Sequence, residues 1–130
     1  MPNRKLSARI ASILLIIHGL IELAGLVLIN SMPHALISFG GLTDKLLEQN
    51  AFVIAIFGAL WGLARIIAAV GAWSLRKWAL ILGISLSAIT MVAAITIIPA
   101  GVTDTFLALP ALILLLHAWF GHEVMEVFGG

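Results

Sequence analysis

Apolar positions in this chain gather into four long blocks, and most polar residues collect in the gaps between them. The blocks cover residues 8–29, 51–74, 78–98 and, shorter than the rest, 103–121. Each approaches the ~20 residues a helix needs to cross ~30 Å of hydrocarbon. Only helices and closed barrels satisfy every backbone group in lipid, and the blocks show no period-2 alternation. The pattern therefore predicts an all-α fold: a polytopic membrane four-helix bundle, one transmembrane domain over 1–130.

Composition agrees. Hydrophobic residues make up 62% of the chain and charged residues 10%, with a mean hydropathy of +1.19. Soluble domains carry about 25% charged residues. A domain of 130 residues has too little interior for so many Ile, Leu, Val and Ala side chains. The absence of cysteine excludes disulfides, thiol redox chemistry and thiolate metal sites.

The net charge of +1 says less than where the charges fall. Arg4, Lys5 and Arg9 precede or open the first block, and Arg76-Lys77 join the second to the third. The other two gaps hold Lys45 beside Asp44 and Glu48, and Asp104. Lys and Arg mark cytoplasmic loops, so both termini are expected in the cytoplasm of a multi-pass cell-membrane protein. Trp73, Trp78 and Trp119 fall at the same end, as an interfacial aromatic belt would. The first apolar run is too long for a signal peptide and leads to no cleavage site, so it reads as an uncleaved span.

Pro33 should end the first helix, and Gly40-Gly41 reads as a turn. Residues 43–49 read as an ordered outer loop, or as a helical turn or two with Leu42, Leu46 and Leu47 on an apolar side that lies along the interface. Pro99 and Gly101 should terminate the third helix, and Pro110 should kink the fourth or loosen its first turns. Gly58 and Gly62, then Ala79, Gly83 and Ser87, recur at four-residue spacing that lets helix backbones approach. Packing within one bundle is the default use of such a pattern; a homodimer interface is the other.

Glu22 and Arg65 are the positions an apolar block tolerates least. A charge at bilayer depth costs several kcal/mol, about 2.5–3.5 on insertion scales, so such residues face a bundle interior and find partners. At 1.5 Å per residue, His18 lies about 15 Å above the cytoplasmic edge, Glu22 about one turn further out, and Arg65 about 14 Å above that edge. His18 and Glu22 share a helix face, which also carries Gly25. Small residues surround Arg65 on its face, and Trp61 lies four positions earlier, where its ring can cover the guanidinium. An interhelical Glu22–Arg65 pair with His18 nearby is expected. Such a pair can simply fix register, or it can form a site. His117, about 6 Å from the cytoplasmic edge, can face the bundle or as readily sit in the interface beside Trp119; facing the bundle, it completes the candidate ligand-binding set of His18, Glu22, Trp61, Arg65 and His117. The tail with His122, Glu123 and Glu126 reads as solvated. Ser85, Ser87, Thr90 and Thr96 can bond their own helix, and Asn30 and Asp104 stand at span ends, so none of them requires a functional explanation.

No catalytic residue is indicated, because no nucleophile–base pair is readable, and the chain is read as leaning away from enzyme activity. His18 and His117 differ in depth by about 9 Å, which disfavours a bis-histidine haem. A closed metal site wants four ligands, so no metal or cofactor is expected. No glycine-rich phosphate loop occurs, and a few basic residues before a span are topology signals rather than a nucleic-acid surface.

Residues 61–79 read WGLARIIAAVGAWSLRKWA. The segment resembles a family of small four-helix bacterial and archaeal membrane proteins of unknown function, through Arg65, Gly71, Trp73, Arg76, Lys77, Trp78 and Ala79. That family has an acidic residue three positions after the arginine, where this chain has Ala68. The resemblance implies the fold and no activity. His18 and Glu22, one helical turn apart, are also similar to one element of sterol-isomerase-like membrane bundles that hold cationic or sterol-like ligands. The expected function is binding of a small amphiphile, lipid headgroup or ion at the His/Glu/Arg cluster, with the lipid bilayer as the constant partner. A proton- or ion-coupled small-solute transporter using Glu22, or a structural subunit, are the alternatives.

Overall fold

A computed structural model describes residues 3–31, 41–96 and 100–120. It contains four helices: α1 (Arg4–Ser31), α2 (Gly41–Trp73), α3 (Lys77–Thr96) and α4 (Ala100–Phe120). All four contain a stretch long and apolar enough to cross a membrane. Expectations placed on Pro33, Gly40, Pro99, His122, Glu123 and Glu126, and on the side chains of Asn30, Leu42, Leu46 and Leu47, lie outside what is described.

The helices run up, down, up and down around a ring, α1 packing on α2 and α4, and α3 on α2 and α4. The α1–α2 contact is the most extensive, and glycine is the reason. A Cβ on Gly19 would stand 2.6 Å from the Gly62 carbonyl oxygen, and one on Gly62 would stand 2.6 Å from the Gly19 carbonyl oxygen. Backbones this close exclude any side chain at either position. Gly25 and Gly58, by contrast, have open space around them, so the close approach expected at Gly25 lies at Gly19 instead.

The core is built from alanines and leucines, with no β-branched side chain among them: Ala8, Ala11 and Leu15 of α1, Ala68 and Ala72 of α2, Leu80 and Leu86 of α3, and Ala111, Leu115 and Ala118 of α4. The larger and β-branched residues face out, among them Ile17, Ile21, Phe57, Val70, Ile95 and Phe106. Small interior residues allow short interaxial distances, while bulky apolar ones cover the outside.

Residues 41–49 are helical and continue into α2 across one non-helical residue, Asn50 (φ −142°, ψ 35°). The ordered-loop alternative for this stretch is thus replaced by helix. Gly41, expected in a turn, opens α2, and Gly101, expected to end the third helix, lies in α4. α3 stops earlier, at Thr96, and α4 runs continuously past Pro110.

The α2–α3 turn closes α2 with a pair of backbone bonds: Arg76 N–H donates to Gly71 O at 3.0 Å and Leu75 N–H to Ala72 O at 2.9 Å. This 6→1 and 5→2 pattern needs a left-handed residue, and Leu75 supplies it at φ 59°. A leucine there costs about 1–2 kcal/mol relative to glycine. Burial of its side chain in the core offsets that cost.

The basic residues meet at this same end. Arg4 donates through Nε to Ala118 O and through Nη2 to Trp119 O, both at 2.9 Å, capping the last carbonyls of α4. The Arg9 guanidinium lies over the Trp73 ring at 5.2 Å from its centroid.

Candidate functional site: a charged cluster spanning four helices

Each helix contributes one or more polar groups to a cluster set away from the basic end. Arg65 of α2 is fully buried and points at α1 and α3. Its Nε donates to Glu22 Oε2 at 3.0 Å. Its Nη2 donates to the Thr90 hydroxyl of α3. Trp61, one turn before Arg65, also donates to Thr90, Nε1 to Oγ1 at 3.4 Å. One hydroxyl oxygen thus accepts from both donors, using both of its lone pairs. Arg65 Nη1 is left without a hydrogen-bond partner among the described residues.

On the other side of Glu22, His18 Nε2 lies 3.8 Å from Glu22 Oε1 and 3.2 Å from Asp104 Oδ1. A carboxylate only accepts, so Nε2 carries a proton and donates to Asp104. The cluster reads as a continuous row: Asp104, His18, Glu22, Arg65, Thr90 and Trp61. His18 is 2% exposed and Arg65 0%, whereas the carboxylates of Glu22 and Asp104 keep 19% and 39%. The nitrogen-bearing side chains are sealed inside while the carboxylates reach outward.

The glycine contact explains why the row closes. Gly62 lets α1 approach so near that its missing Cβ would meet Glu22 Cβ at 3.0 Å. That proximity brings the carboxylate within reach of a guanidinium rooted only one turn away on α2.

Glu22, Trp61, Arg65, Ile89, Thr90, Ala93 and Asp104 line an open depression of about 290 Å³. Two of its walls, Ile89 and Ala93, also belong to an adjoining groove of about 370 Å³ lined by Ala88, Ile89, Val92, Ala93 and Thr96. The charged depression thus shares two lining residues with an almost purely apolar trough along α3.

The structure brings together four of the five sequence-derived site residues, His18, Glu22, Trp61 and Arg65. Trp61 joins through Thr90 rather than by stacking; the guanidinium that lies on an indole is Arg9 on Trp73. His117 is not part of the cluster: its Nδ1 is 2.8 Å from the Ser7 hydroxyl, near the α4 end that Arg4 caps. Two members went unrecognised in the sequence, Thr90 and Asp104. Asp104 was placed at a span end. It does stand near the start of the fourth span, and that point lies about 24 Å along α4 from Phe120, level with His18 at about 21 Å along α1 from Arg4. The signal was the shortness of the fourth apolar block, which draws its acidic start down to the cluster. Among the described residues no His, Asp or Glu groups converge as metal ligands would.

No protein-family model, curated protein or solved structure matches this chain.

Proposed function

We propose that the chain is a multi-pass integral membrane protein of a cell membrane, with both termini cytoplasmic, that binds a small amphiphile by its polar headgroup at the His18–Glu22–Arg65–Asp104 cluster. The adjacency of charged depression and apolar trough carries this reading: Ile89 and Ala93 line both. A polar headgroup and an attached chain would each find a matching surface without bending back. The exposed Ile, Val and Phe side chains on the outside of the bundle suit lipid as the surrounding solvent. Arg4, Lys5, Arg9, Arg76 and Lys77 cluster at the end where α1 and α3 begin, which supports a cytoplasmic assignment for that end.

Within the site, Arg65 holds Glu22 in place and offers its remaining Nη1 donor to an oxygen. Trp61 forms a partly apolar wall, and Asp104 is the most open charged group. Native mass spectrometry of protein released gently from membranes tests the reading. Wild type should retain a lipid or small molecule that folded Glu22→Gln and Ala93→Trp proteins lose. A wild-type mass equal to that of the bare chain would count against it.

Proton- or ion-coupled transport is the competing reading. The row Asp104–His18–Glu22, three titratable groups in succession, favours it. The Arg65 bond to Glu22 opposes it, because a carboxylate that cycles would have to break this interhelical contact at each turn.

A further inference from the structure

A second depression, of about 420 Å³, lies at the basic end of the bundle, apart from the charged cluster. Its apolar lining comes from Ile66, Ile67 and Val70 of α2 and Trp78 of α3, and its polar lining from Ser74 and Arg76 of the turn between them. Gly71 shapes it: a Cβ at that position would stand 2.9 Å from Trp78 Cζ2, so the missing side chain lets the indole lie against the α2 backbone. The guanidinium of Arg76 is exposed, and neither it nor the Ser74 hydroxyl has a hydrogen-bond or ion-pair partner among the described residues.

We propose that this depression seats one anionic phospholipid of the bilayer leaflet at the basic end, with its phosphate on Arg76 and Ser74 and an acyl chain along Ile66, Ile67 and Val70. The order of the lining matches the way a lipid stands in its leaflet. Polar groups lie at the turn, where a headgroup belongs, and the apolar ones follow along α2 toward the middle of the span, about 10 Å from Trp73 to Ile66. Trp78 stands between the two, at the depth where indoles meet headgroups. A guanidinium offers a fork of donors that matches phosphate oxygens, and a serine hydroxyl can donate one more hydrogen bond.

Charge complementarity selects an anionic lipid over a zwitterionic one. Arg4, Lys5, Arg9 and Lys77 share this end with Arg76, and the acidic residues among those described lie elsewhere: Glu22 and Asp104 in the cluster, Asp44 and Glu48 in the opening turns of α2. A choline headgroup would bring its own cation into that basic surrounding, whereas a glycerol headgroup leaves the phosphate charge free for Arg76. A basic residue at the membrane surface favours an anionic lipid by about fivefold. The site uses no residue of the charged cluster, so it stands or falls apart from the amphiphile reading.

The test reads Trp78 fluorescence in the full chain with Trp61, Trp73 and Trp119 replaced by phenylalanine. The protein sits in vesicles of equal phosphatidylglycerol and phosphatidylcholine, with bromine on the acyl chains of one lipid at a time. Brominated phosphatidylglycerol should quench with about a fivefold preference over brominated phosphatidylcholine. Arg76→Gln should bring that preference close to one, and Val70→Phe, which fills the depression from a lipid-facing position, should abolish it. Lys5→Gln removes an equal charge from the same end but outside the depression, and should leave most of the preference. Equal quenching by the two lipids would overturn the proposal. So would an equal loss in Arg76→Gln and Lys5→Gln, which would mean diffuse attraction to the basic end. Quenching by neither lipid would also overturn it, and would point to a second copy of the chain covering the depression. Native mass spectrometry of the unsubstituted chain from nanodiscs of the same two lipids gives an independent reading should the triple substitution not fold. Wild type and Lys5→Gln should each retain one more phosphatidylglycerol than Arg76→Gln, and equal retention by all three would overturn the site.

Discussion

His18 Nε2 and Asp104 Oδ1 stand 3.2 Å apart although 86 positions separate them in the chain. This contact ties the first helix to the last and sets an imidazole between two carboxylates. It also turns a two-helix Glu22–Arg65 pair into a row that runs through the whole bundle.

The Arg65–Glu22 contact should behave as a coupled unit. Removing one partner leaves the other's charge in the interior, which costs about 3–5 kcal/mol. Arg65→Met and Glu22→Met should therefore each destabilise strongly, and the double variant should lose clearly less than their sum. A coupling energy of about 1–3 kcal/mol is expected from a double-mutant cycle of unfolding in detergent.

Thr90 accepts from both Arg65 and Trp61. Thr90→Val keeps the shape and removes the acceptor, leaving buried donors without a partner at a cost of about 1–3 kcal/mol. Thr90→Ser should recover most of that loss in the same unfolding assay, because the hydroxyl remains.

The α1–α2 contact predicts a contrast between glycines of the same helices. Alanine at Gly19 or Gly62 would drive a Cβ into a backbone carbonyl at 2.6 Å, which only separation of the helices can relieve. A loss of about 1–3 kcal/mol is expected, together with weaker ligand retention as Glu22 moves off Arg65. Gly25→Ala and Gly58→Ala meet open space and should leave the midpoint of thermal unfolding unchanged or raised.

Leu75 combines an unfavourable backbone conformation with a buried side chain. Leu75→Ala loses the burial and keeps the strain, whereas Leu75→Gly loses the burial and relieves the strain. Glycine should be the more stable of the two by about 1 kcal/mol, a reversal of the usual helix-interior order.

Orientation is open to a clean test because the chain has no cysteine of its own. In intact cells, an impermeant thiol reagent should label Lys45→Cys and spare Ser74→Cys. The opposite labelling would invert the proposed topology.

Much of the architecture was legible in the sequence because lipid-length apolar blocks leave few alternatives. Arg65 and Glu22 stood out for the same reason: a charge inside such a block demands a partner, and rise per residue showed that the two could meet. Asp104 and Thr90 were not legible. A hydroxyl that can bond its own helix gives no sign that it will serve another, and an acid at a block's edge looks solvated until the neighbouring helix is seen to be level with it. Of the two positions open to His117, the structure has the one near the helix end. A histidine near a helix end has nearby bonding partners of its own, here Ser7, and depth along one helix does not say which neighbour it will meet.

Trp61 lies in the wall of the depression and can report on its occupancy directly. With Trp73, Trp78 and Trp119 replaced by phenylalanine, its fluorescence should be quenched by dodecyl amphiphiles brominated near the headgroup, cationic and zwitterionic ones being tried in turn. A site built as described predicts saturable quenching by at least one of them, with one molecule per chain, abolished by filling the shared wall with Ala93→Phe. Quenching that grows in proportion to amphiphile in the membrane, and that Ala93→Phe leaves untouched, would contradict it.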